Sequence, residues 1–128
     1  MVSISSNPKS KRLIRFSARL AKTYKCPWYV VYINFTHFMS PKETPEIING
    51  LNSNIELAKK LNGTVIKLEC KSVSNALLQI AHEKHVTKLV IWHSKRTKLK
   101  RLFRGSTANK LLEQAKDIQI IVVPYDSI

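Results

Sequence analysis

Short apolar runs rich in β-branched and aromatic residues alternate along this chain with longer stretches in which apolar side chains recur every three or four positions. Val2 and Ile4 alternate with serines between Met1 and Ser5, which predicts a short strand, and Asn7-Pro8-Lys9-Ser10 supplies turn and helix-start chemistry. From Lys9 to Lys25, helical spacing places Leu13, Ile14, Ser17, Ala18, Ala21 and Tyr24 on one face and Arg12, Arg15, Arg19 and Lys22 on another. Pro27 opens the run Trp28 to Phe35, a strand of the kind covered on both faces. Thr36 to Thr44 reads as a loop. Pro45 to Leu61 reads as a helix with Ile47, Ile48, Leu51, Ile55, Ala58 and Leu61 inward, stopped by Asn62-Gly63. Thr64 to Glu69 is the next strand. Ser72 then caps a helix burying Val73, Ala76, Leu77, Ile80 and Ala81. Thr87 to Trp92 returns to strand, Gly105-Ser106-Thr107 opens a helix through Ala108, Leu111, Leu112 and Ala115, and Ile118 to Val123 is the last strand.

Strands that alternate with helices imply a parallel sheet with right-handed crossovers, so the expected fold is α/β, a Rossmann-like doubly wound five-stranded sheet in the order 3-2-1-4-5. A chain of 128 residues fits one such domain. Ligands of these sheets bind at the carboxyl ends of the strands beside the point where strand order reverses, here between the first and fourth strands. The loops Ser5 to Lys9 and His93 to Thr107 converge there.

Charge changes the picture more than composition does. The 44% hydrophobic fraction is ordinary, but 22 Lys plus Arg stand against 8 Asp plus Glu, a net charge of +14. The resulting field attracts phosphates, acidic proteins and anionic lipid, and a basic binding module for nucleic acid, acidic protein or anionic membrane is the alternative to a small-ligand domain. No recognisable nucleic-acid motif supports specific nucleic-acid binding, because the alternating strands leave no adjacent helix pair. Nor does a Ser/His/acid order, a carboxylate pair or a complete P-loop suggest an enzyme. Cys26 and Cys70 lack metal or redox spacing and read as buried thiols, and His82 and His85 read as a solvated pair on a surface helix end. No apolar run is long enough to span a bilayer, and the N-terminus lacks a signal-peptide core, so the expected location is the cytoplasm.

Candidate chemistry concentrates between Ser94 and Ser106. The run follows a strand and precedes a helix, the setting in which free backbone N–H groups and the helix dipole hold phosphate. Lys95, Arg101 and Arg104 are the expected phosphate contacts, with Ser94 opening the loop. Gly105 lets the backbone approach a ligand, and Ser106 either caps the helix or donates its hydroxyl to a phosphate oxygen. Ser5 and Asn7 border the same cleft from the first-strand loop. A solvated basic loop is the alternative for this segment.

The residues Val90-Ile91-Trp92-His93-Ser94-Lys95-Arg96-Thr97-Lys98, Lys100-Arg101-Leu102-Phe103-Arg104-Gly105-Ser106 and Asn109-Lys110-Leu111-Leu112, with Ser6-Asn7-Pro8 and Pro27-Trp28-Tyr29-Val30-Val31-Tyr32, resemble the universal-stress-protein-like domain of Kdp-type potassium-sensing histidine kinases. The resemblance spans nearly the whole chain. It implies a non-catalytic, cytoplasmic regulatory module, a fragment of a longer ATP-dependent sensor kinase anchored in the bacterial inner membrane, whose partners are a nucleotide ligand and the kinase's other domains. The family's ATP loop, G-x-x-G-x9-G-[ST], falls on Trp92, Lys95, Gly105 and Ser106, so only the last pair matches. Some Kdp kinases bind cyclic di-AMP through a Ser-x-Ser start and an aromatic second strand, which Ser3-Ile4-Ser5 and Trp28 to Tyr32 resemble. The implied ligand is therefore ATP or cyclic di-AMP. Related domains pair through their last strand, which makes a homodimer through Ile118 to Val123 a further expectation.

Overall fold

The computed structural model describes residues 1–35, 44–70, 73–93, 111, 113 and 117–124. Strands β1 (Val2–Ile4), β2 (Tyr29–Phe35), β3 (Thr64–Cys70), β4 (Lys88–His93) and β5 (Gln119–Pro124) alternate with helices α1 (Ser10–Tyr24), α2 (Pro45–Lys60) and α3 (Val73–Glu83). Leu111 and Glu113 are helical between β4 and β5. All neighbouring strands are parallel and their order is β3-β2-β1-β4-β5, as the alternation predicts.

The path of the chain explains why both sheet faces are covered. From β1 to β2 to β3 it steps outward in one direction, and right-handed crossovers lay α1 and α2 on one face. From β3 it returns past β2 and β1 to reach β4, so α3 falls on the other. Side chains along β2 divide accordingly: Val30 and Tyr32 join Leu13, Ile14, Ala21 and Ala58, whereas Val31 joins Leu77, Leu78, Ile80, Ala81 and Leu111. The same division places Val2 and Val90 in the first cluster and Met1 and Leu89 in the second. The Met1 amine donates to the Lys88 carbonyl at 2.9 Å, tying the start of β1 to β4, and burial lowers its pKa from 8.0 to about 6 despite an opposing effect of Cys26.

Several side chains depart from the expected faces. Tyr24 is 58% exposed, because α1 ends there and Lys25 turns the chain away in the left-handed conformation. Ile48 is 42% exposed, since the innermost line of α2 runs through Gly50, Asn54 and Ala58, from which Ile48 is rotated away. Cys26 is exposed rather than buried: β2 begins at Tyr29, and residues 26–28 form the link from α1. Leu78 is buried with Leu77, Ile80 and Ala81, whereas Ala76, also expected inward, is only half-buried. The expected cap Ser72 and the segment 36–43 lie outside the described residues.

At the end of α2 it is Asn62, with φ 64°, that takes the left-handed turn, and Gly63 serves another purpose. A Cβ at Gly63 would sit 2.9 Å from the Trp28 ring, whose indole Nε1 donates to the Leu61 carbonyl at 3.2 Å. The missing side chain thus lets the buried Trp28 close the gap between α2 and the start of β2.

Candidate functional site

The carboxyl ends of β1 and β4 are neighbours at the reversal of strand order, with Val2 in register with Val90. Ser5 and Asn7 leave β1 at this point, where the sequence places them. The other residues expected at the cleft, Ser94, Lys95, Arg101, Arg104, Gly105 and Ser106, lie outside the described residues.

The chain between Ser5 and Ser10 is fixed by its own polar groups. Asn7 Oδ1 accepts from the Lys9 N–H at 2.9 Å and closes an Asx turn, while Ser5 Oγ accepts from the Asn7 N–H at 3.2 Å. Ser10 Oγ accepts from the Ser5 N–H at 3.2 Å and lies 3.3 Å from Ser5 Oγ. The Asn7, Pro8 and Lys9 carbonyls accept from the N–H groups of Ser10, Lys11 and Arg12, so a tight turn replaces a side-chain cap at the start of α1. Those first helical N–H groups are therefore spoken for within the loop.

Helix α2 holds this loop from the side. Asn54, with no exposed surface, donates through Nδ2 to the Ser5 carbonyl at 2.9 Å and to the Asn7 carbonyl at 3.0 Å. One turn earlier Gly50 abuts the Ser6 carbonyl so closely that a Cβ there would lie 2.5 Å from the oxygen. Lys11 Nζ donates to Ser53 Oγ at 2.6 Å, linking α1 to α2 beside the same loop. None of these α2 contacts is among the residues singled out by sequence. The available signal was a polar residue, Asn54, three after Leu51 and four before Ala58, on a face expected to be buried.

A concavity lies at the opposite, amino end of the sheet. Arg15, Arg19, Lys22 and Lys25 from α1 and its C-cap, with Lys60 from α2, line a groove of about 900 Å³ whose apolar part includes Ala18, Pro27, Trp28 and Leu61. These cations are exposed and have no carboxylate partner among the described residues. Part of the cluster reflects ordinary helix energetics, because Lys22, Lys25 and Lys60 stand at helix C-termini, where the dipole favours positive charge. Arg15 and Arg19 lie earlier in α1 and are not explained in that way. No group of three or more His, Cys, Asp or Glu able to hold a metal occurs among the described residues, and His82 and His85 are exposed. No helix among those residues is long and apolar enough to cross a membrane.

Comparison with known proteins places this geometry in a family context. A family model described as the universal stress protein family matches residues 1–124. A sensor protein KdpD of Clostridium acetobutylicum is 27% identical over 128 residues, covering 97% of this chain and 14% of the relative. One from Mycobacterium tuberculosis is 26% identical over 125 residues, covering 98% and 14%. The chain thus spans about one seventh of the length of these relatives. Among solved structures, a universal stress protein from Archaeoglobus fulgidus superposes with a TM-score of 0.66 at 20% identity, covering 95% of this chain and 90% of that one. A universal stress protein in complex with cAMP gives 0.65 at 17% identity, covering 96% and 93%. An Archaeoglobus fulgidus protein in complex with dAMP gives 0.59 at 17% identity, covering 95% and 94%.

Proposed function

Because the chain belongs to the universal stress protein family, we propose that it is a nucleotide-sensing regulatory domain of a potassium or osmotic sensor histidine kinase, with an adenine nucleotide or cyclic di-AMP as ligand. The observation that carries the proposal is the ordered Ser5–Ser10 loop at the carboxyl end of β1, beside β4 and at the reversal of strand order. The cAMP and dAMP complexes of the structural neighbours support an adenine nucleotide as the ligand class. Cyclic di-AMP rests on the resemblance of Ser3-Ile4-Ser5 and the second strand. In this proposal the Ser94 to Ser106 run supplies the phosphate contacts, through Lys95, Arg101, Arg104 and the backbone at Gly105-Ser106. The domain binds and reports, and the kinase's other domains respond. Its location in this reading is the cytoplasmic part of an inner-membrane kinase.

The cation-lined groove at the amino end favours a second reading, a basic module that holds polyanions without a dedicated small ligand. A thermal-shift series of ATP, AMP, cAMP and cyclic di-AMP separates the two, with a short single-stranded DNA as the polyanion control. A nucleotide at a hundred times its Kd stabilises the native state by about 2.7 kcal/mol, which corresponds to a rise in Tm on the order of 10 °C for a domain of this size. The nucleotide reading expects such a rise from at least one compound, largely kept as salt increases from about 50 to about 200 mM. The polyanion reading expects a rise only with DNA, lost over the same interval because affinity for a single strand falls roughly 300-fold when about six phosphate contacts release their counterions.

A further inference from the structure

We propose that Asn54 is a positioning residue for nucleotide binding at the carboxyl end of β1: by drawing the Ser5 and Asn7 carbonyls onto α2, it turns the Ser6 peptide N–H outward as a donor for a phosphate oxygen or an adenine ring nitrogen of the bound nucleotide. The inference rests on the nucleotide-binding reading above and adds to it a ligand contact, Ser6, and the residue that aims it.

Peptide geometry links the two residues. In a trans peptide the carbonyl of one residue and the N–H of the next point in opposite directions. The Ser5 carbonyl accepts from Asn54 Nδ2 at 2.9 Å, so the Ser6 N–H points away from α2. That N–H has no hydrogen-bond partner among the described residues, whereas its neighbours at Ser5 and Asn7 are bonded within the loop. A loop that satisfies the donors on either side and leaves one open at the carboxyl end of β1 has the form of a binding contact.

Asn54 is suited to this task by chemistry that the isosteric aspartate lacks. Its Nδ2 carries two hydrogens, and both are used, one for each carbonyl. The carboxamide is fully buried and its Oδ1 has no hydrogen bond among the described residues, so the group is held at a cost that the two donated bonds must offset. An aspartate has the same shape but, when ionised, presents only acceptors to the same two carbonyls.

The test compares the parent with Asn54→Asp and with Ala58→Gly, a buried α2 change one turn from Asn54 that lowers stability without touching the loop. Calorimetry with AMP, at a temperature where circular dichroism shows every protein folded, is combined with amide hydrogen exchange and chemical shifts read by NMR. In the parent, AMP should shift the Ser6 amide resonance, and the Ser5 and Asn7 amides should exchange slowly. Asn54→Asp should lose that protection and the Ser6 shift, and bind AMP about 10-fold more weakly. Lowering the pH to about 5 should restore part of the affinity relative to the parent, because the protonated acid donates one hydrogen bond. Ala58→Gly should bind as the parent does. Equal affinity in Asn54→Asp, or equal weakening in both variants, overturns the proposal. If the parent binds no nucleotide, the functional reading fails and the Ser6 contact fails with it. In that case unchanged protection of Ser5 and Asn7 in Asn54→Asp would refute the positioning role on separate grounds.

Discussion

Replacing Gly50 by alanine should destabilise the protein by about 1–2 kcal/mol, opposite in sign to the usual effect of that change inside a helix. Alanine is favoured over glycine by about 1 kcal/mol per helical position, because glycine loses more backbone freedom on folding. Gly50 lies within α2, so propensity alone predicts a more stable variant. The added Cβ would instead sit 2.5 Å from the Ser6 carbonyl oxygen, a backbone atom of a loop held by Asn54 on both sides of Ser6. Neither side can give way cheaply: moving α2 disturbs its packing on β2 and β3, and moving the loop breaks the Asn54 bonds. Overpacking of this kind costs about 1–3 kcal/mol, and Gly50→Val should cost more than Gly50→Ala. Urea denaturation of both variants measures the effect. Stabilisation of Gly50→Ala would show that loop and helix do not meet as described.

Leu13→Ala should have the largest effect of any single change considered, a loss of about 3–5 kcal/mol. Leu13 has no exposed surface and joins α1 to β1 and β2 within the cluster of Val2, Ile4, Ile14, Val30 and Tyr32. Truncation removes the transfer free energy of three carbons and leaves a cavity that a parallel sheet covered on both faces cannot readily collapse to fill. The midpoint of chemical denaturation should fall with little change in its slope. Leu20→Ala, also on α1 but only partly buried, should cost well under half as much, and equal losses would contradict the assignment of the α1 faces.

What could be read from the chain follows from the range of the interactions involved. The nearly continuous β-branched and aromatic run from Trp28 to Phe35 and the helical spacing in Lys9 to Lys25 are local, and with right-handed crossovers they point to the strand order that the structure shows. The expected faces failed where an element ends or where a polar residue defines the buried line. Tyr24 sits beyond the last turn that the sheet covers, and Cys26 belongs to a link rather than to β2. Helical spacing of apolar residues puts Ile48 inward, yet the tightest approach of α2 is made by Gly50 and Asn54, which periodicity does not weigh. The positions of Ser5 and Asn7 were legible because they follow a strand at the reversal of order. Asn54 and Ser6 were not, because their roles depend on a contact between residues 47 to 49 positions apart in the chain.

Isothermal calorimetry of ATP, AMP and cyclic di-AMP, on the parent and on Arg101→Ala, Arg104→Ala and Gly105→Val, tests the central claim most directly. The account predicts that at least one nucleotide binds the parent. Each arginine variant should bind it about 10-fold to 100-fold more weakly with the fold intact by circular dichroism, since a charge-assisted hydrogen bond contributes roughly 1.5–3 kcal/mol. Gly105→Val should bind more weakly still, because a β-branched side chain blocks approach of the backbone to phosphate. Equal affinity across the parent and all three variants would place the ligand elsewhere, and no binding by the parent at physiological salt would contradict the account.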